Sequence, residues 1–136
     1  MNTLHRICAP LAATATLVLL AGCAASDYHF SQIDGRRYFK TNIDTYSVLI
    51  SRIDGESPST RAPALVFPGV RTIEVQGPPT ITNTAGELRD FTLDVKSCTR
   101  YYLVAVKAAR LDNDFTVRVD DEEPVPGCTP PSTKKA

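Results

Sequence analysis

Hydrophobic and polar positions change their rhythm twice along the chain. Residues 7–20 are almost unbroken apolar sequence, preceded by Arg6 and followed by the small residues Ala21 and Gly22. That run is too short to span a bilayer comfortably as a permanent helix, and its charged, apolar and small-residue order is that of an export signal. From residue 45 onward, apolar and polar residues alternate with period two between clusters of Pro, Gly, Asn and Asp. This rhythm predicts short half-buried strands separated by turns.

Residues 45–53, TYSVLISRI, predict one strand with Tyr46, Val48 and Ile50 on a single face, and Asp54-Gly55 ends it in a turn. The stretch 56–63 has no periodicity and carries two prolines, so it predicts a surface loop. Residues 64–67 run into Pro68-Gly69, a pair suited to the centre of a type II turn because Pro presets φ and Gly accepts positive φ. A hairpin is expected there, with residues 70–76 returning and Ile73 and Val75 on one face. Gly77-Pro78-Pro79 stops that strand.

Residues 88–96 alternate through Phe91, Leu93 and Val95 against Thr92 and Asp94. Residues 101–107, YYLVAVK, are apolar on both faces and predict the centre of a sheet. Asp112-Asn113-Asp114 is turn chemistry, and Phe115, Val117 and Val119 supply the inward face of a last strand. Residues 37–40 predict a first strand, and residues 120–123 with the Pro-rich end read as tail. Six or seven strands without an amphipathic helix predict an all-β fold: a small antiparallel β-sandwich, immunoglobulin-like or transthyretin-like.

Leu20-Ala21-Gly22-Cys23, at the end of the apolar run, resembles the lipobox of bacterial lipoproteins. The resemblance implies that Cys23 takes a diacylglyceryl group, that cleavage precedes it, and that the new amine is acylated. In such proteins Asp after the cysteine favours inner-membrane retention, and here the position is Ala24, which implies the outer membrane, facing the periplasm. The organisation expected is a signal peptide at 1–22, a lipidated tether at 23–35, a β domain at 36–128 and a disordered tail at 129–136. Cys8 leaves with the signal, so lipid on Cys23 leaves Cys98 and Cys128 to pair in an oxidising compartment. Their wide spacing suits a structural staple, whereas redox-active pairs usually have C-x-x-C spacing.

The order IDG turn, VFPGVRTIEV, FTLDV, CTRYYLVAV and terminal PGC resembles that of small bacterial lipoproteins with a PEGA-like β-sandwich domain. These are turn and core signals, so the resemblance implies fold and assigns no catalytic or ligand residue.

Charge adds an exclusion. The 15 basic and 15 acidic residues balance, and cleavage removes only Arg6, so no clustered basic excess marks a nucleic-acid partner. The only histidine after cleavage is His29, in the tether, which disfavours a Ser-His-acid triad or a His-rich metal site. Asp112-Asn113-Asp114 lacks the later Gly and Glu of an EF-hand loop. Arg36, Arg37 and Lys40 cluster near the anchor, where they are candidates for contact with anionic headgroups. Tyr101 and Tyr102 point to opposite faces of a strand and so cannot form a flat stacking platform. Glycoside chemistry would require two of Asp94, Asp112, Asp114, Asp120 and Glu122 to meet in a cleft.

The function expected from these features is that of a noncatalytic, cofactor-free envelope module. It is tied to the membrane through Cys23 and binds another envelope protein. The alternative is a small-ligand or glycan binder.

Overall fold

The computed structural model describes residues 29–38, 43–59 and 62–131. They form an all-β fold of two small sheets. The strands are β1 (Ser31–Asp34), β2 (Thr45–Ser47), β3 (Leu49–Ile53), β4 (Ala64–Val66), β5 (Gly69–Gln76), β6 (Leu88–Val95), β7 (Thr99–Val106) and β8 (Thr116–Pro124). One disulfide, Cys98–Cys128, ties the start of β7 to the segment after β8. Cys23 and Lys40 lie outside the described residues.

The larger sheet is organised by β7, whose residues 101–105 are all buried, as its two-sided apolar sequence requires. β8 pairs with it along its whole length. Its other edge is shared: β1 runs parallel to the first half, from Gln32 opposite Arg100, and β2 runs antiparallel to the second half, from Thr45 opposite Val106. β4 closes the far side of β1. The smaller sheet is antiparallel in the order β3, β5, β6.

One core joins the two sheets. Ile33, Ala64, Val66, Tyr101, Leu103 and Ala105 come from the first, and Ile50, Ile73, Val75 and Val95 from the second. The faces expected from alternation hold at Ile73 and Val75, and Phe91, Leu93, Val117 and Val119 pack against the same core.

Several pairings differ from the sequence reading. Residues 45–53 are two strands, because the chain changes sheets at Val48: β2 pairs with β7 and β3 with β5. Tyr46, Val48 and Ile50 still serve the core, since side-chain alternation continues while the hydrogen-bonding partner changes. Pro68-Gly69 does turn, with Gly69 at a φ of 114°. It makes no hairpin, however, because β4 pairs with β1 and β5 with β3 and β6, so the turn carries the chain between sheets.

The first strand is also earlier than expected, inside the segment assigned to the tether. Arg37 and Tyr38 are not in a strand, whereas Ser31–Asp34 is. Its sequence, SQID, has one strong strand former, and its conformation comes from pairing on both edges. Because β1 is parallel to β7, the sheet is not purely antiparallel. Residues 120–123 belong to β8 rather than to a tail, with a register shift opposite Tyr102 and Leu103.

Candidate functional site

Alternation along β1 turns Ile33 into the core and Asp34 to the opposite face of the larger sheet, where register sets it beside Tyr102. Arg100, two residues earlier on β7, shares that face. The side chain of Asp34 is completely buried. An unpaired carboxylate there would be costly, and this one is enclosed by donors. Arg36 reaches it through Nη2 at 2.7 Å, through Nε at 3.0 Å and through its backbone N–H at 3.0 Å. Arg100 Nη2 donates to the same carboxylate at 2.9 Å.

The network continues across β7. Tyr102 donates its hydroxyl proton to Glu123 Oε1 at 2.6 Å, and Arg100 Nη1 lies 3.7 Å from that oxygen. The Arg100 guanidinium stands 5.3 Å from the Tyr102 ring centroid, and Tyr38 packs on the same ring with centroids 4.8 Å apart. A cavity of about 290 Å³ lies here, lined by Asp34, Arg36, Arg37, Tyr38, Arg100 and Tyr102. Arg100 Nε is buried without a hydrogen-bond partner among the described residues.

Electrostatics decide what this cluster can do. Burial alone pushes the Asp34 carboxyl up, but the Arg36 side-chain and backbone donors, with Arg100, more than offset it and hold it below the usual carboxylate range. Burial, then the hydrogen bond to Glu123, pushes the Tyr102 hydroxyl up to about 12. Neither group exchanges a proton near neutral pH, which a general acid or base must do. The arrangement is suited to fixing residues 35–38 against the sheet and to holding an oxygen-rich group with guanidinium donors.

No family model, no curated protein and no solved structure matches this chain.

The structure brings together Arg36 and Arg37 from the basic cluster, but uses both internally: Arg36 on Asp34, and Arg37 Nη1 on the Thr45 carbonyl at 3.0 Å. Cys98 and Cys128 are joined, with Cα atoms 5.4 Å apart. His29 lies 2.8 Å, through Nδ1, from the Thr129 carbonyl oxygen. Four of the five acidic residues that glycoside chemistry would draw on have separate partners. Asp114 pairs with Arg89, Asp120 with Arg118 and Glu122 with Lys96, while Asp112 accepts the Ala109 N–H. Among the described residues no group of three or more His, Cys, Asp or Glu is placed to hold a metal ion. No helix there is long and apolar enough to cross a membrane.

Sequence reasoning missed Asp34, Arg100, Tyr102 and Glu123 as a unit. The only local signal was an acid two residues before an arginine, a spacing common on any solvated segment. Their meeting depends on strand register across 66 residues.

A second concavity, of about 280 Å³, lies at the far end of β7, between the β5–β6 and β7–β8 loops. Ile81 and Leu111 border it and are 91% and 80% exposed, with Lys107 and Arg110 beside them.

Proposed function

We propose that this protein is an outer-membrane lipoprotein facing the periplasm, acylated on Cys23, whose β domain is a noncatalytic module that binds another envelope protein. The observation that carries the anchor is the Leu20-Ala21-Gly22-Cys23 motif at the end of the apolar run. The described fold begins at His29, only six residues further on. A disulfide between the two remaining cysteines fits an oxidising compartment.

The noncatalytic role draws support from the cluster around Arg100, where Asp34 is enclosed by guanidinium donors that hold its carboxyl low and burial pushes the Tyr102 hydroxyl up. The surface best suited to a protein partner is the far end, where Ile81 and Leu111 stand exposed among charged neighbours, the composition of an interface core and rim. Within the all-β fold, the finer reading is a PEGA-like sandwich of immunoglobulin-like or transthyretin-like form. A second reading, binding of a small ligand or glycan, is favoured by the cavity between Tyr38 and Arg100 and by Arg100 Nε, which has no hydrogen-bond partner among the described residues.

Intact mass spectrometry with membrane fractionation tests the anchor. The mature chain should begin at an acylated Cys23, and Cys23→Ser should move the protein out of the membrane fraction; an unmodified N-terminus elsewhere overturns the reading. Crosslinking in whole envelopes tests the module. Ile81→Asp with Leu111→Asp should erase a specific crosslinked band, and a band unaffected by both places the partner elsewhere.

A further inference from the structure

The end of the fold where the chain enters is built from segments far apart in sequence. Ser31 pairs with Val66, Gly69 with Val95, and Thr99 with Pro124, so the start of β1, the β4–β5 turn and the β6–β7 turn lie at one end. Cys98 holds Cys128 there, and His29 meets Thr129.

This end carries two large apolar side chains on one tight turn. Phe67 is 62% exposed and Val70 69% exposed, and the Phe67 ring packs on Phe30 with centroids 4.6 Å apart. Exposed turns ordinarily take polar residues.

The carbonyls of the same turn are tied back from solvent. Arg71 donates through Nε to the Phe67 carbonyl and through Nη2 to the Pro68 carbonyl, both at 2.9 Å, while its Nη1 lies 3.0 Å from Asp54 Oδ2. The turn thus presents apolar side chains outward with two carbonyls already satisfied and the arginine charge neutralised. A surface of low polarity demands this combination, because a carbonyl that loses water without gaining a donor is penalised.

Chain length identifies the occupant. Six residues from Cys23 to His29 reach at most about 22 Å, whereas β7, eight residues long, spans about 26 Å. The lipidated residue is therefore confined to the end that carries Phe67.

We infer that the turn at residues 67–70, with Phe30, rests in the headgroup region of the bilayer that holds the lipid on Cys23 and so sets the orientation of the domain. This rests on the anchor reading. Two side chains are too little for recruitment, which the acyl chains supply, but they select which end faces the lipid. Headgroup contact then falls to this turn rather than to Arg36 and Arg37, which follow the far end of β1. Ile81 and Leu111 face away from the membrane, toward a partner.

The test uses the lipidated mature protein in phosphatidylethanolamine/phosphatidylglycerol vesicles. An environment-sensitive fluorophore is attached to Val70→Cys or to Leu111→Cys, and spin-labelled phosphatidylcholine serves as quencher. The label at 70 should be quenched severalfold more than the label at 111. Adding Phe67→Ser should reduce that difference while flotation with vesicles is unchanged. Equal quenching at both positions, in protein shown by mass to be acylated and by flotation to be bound, overturns the orientation and leaves the anchor standing. Absence of acyl mass on Cys23 overturns both.

Discussion

The backbone amide of Val48 donates to the carbonyl of Gly35 at 2.8 Å, joining the residue where the chain changes sheets to the residue that follows β1. The approach is so close that a Cβ on Gly35 would overlap the Val48 carbonyl group. Glycine is required here by space rather than by φ.

Gly35→Ala should therefore destabilise the domain by about 1–3 kcal/mol, the usual cost of forcing extra volume into a packed site. Urea unfolding measures it, and a variant as stable as the parent would show that β1 and the Val48 crossing can separate freely.

Asp34→Asn should cost roughly 3 kcal/mol, because it leaves the Arg100 guanidinium without its main counter-charge under the sheet surface. The pH dependence follows from the direction of the Asp34 shift. A carboxyl held below its unfolded value stabilises the fold above about pH 4, and this contribution disappears as pH falls through its lower folded value. The variant should have a flatter acid limb in stability against pH. Some slope should remain, since Asp54 is also held low, by the Thr72 N–H and then by Arg71.

Tyr102 gives the opposite limb. Its hydroxyl is pushed up to about 12, so its contribution is fully present below the ordinary tyrosine value of about 10 and is lost as pH rises through the folded value. Ultraviolet difference absorbance should show a late-ionising tyrosine in the parent, and Tyr102→Phe should remove that late component. The same substitution should lower stability by about 1 kcal/mol through loss of the bond to Glu123.

Replacing both Cys98 and Cys128 by alanine should lower stability by about 3–4 kcal/mol, given the 30-residue separation of the bridge. Urea curves of the parent with and without reductant should reproduce the difference. If reduction leaves the midpoint unchanged, the segment after β8 is held by its other contacts, including Val125 N–H on the Cys98 carbonyl.

Much of the element structure is legible in the sequence. Thr92 and Asp94 alternate against Phe91, Leu93 and Val95, and the corresponding strand is β6, with the expected face inward. The run YYLVAVK reads as central because both of its faces are apolar, and β7 does carry neighbours on both edges. Pairing was not legible. Pro68-Gly69 promises a turn but cannot say whether the chain returns to the same sheet, and residues 45–53 keep one rhythm across a change of sheet.

The sequence by itself determined the positions that turn and the side chains that face inward. Both are local, set by residue chemistry and by the period of the strand. Only the tertiary structure decided that β1 lies parallel to β7 and that Asp34 is buried beneath two arginines. It also decided that Phe67 and His29 lie at the same end. The physical reason is that every strand offers the same backbone donors and acceptors, so register emerges from packing the whole core.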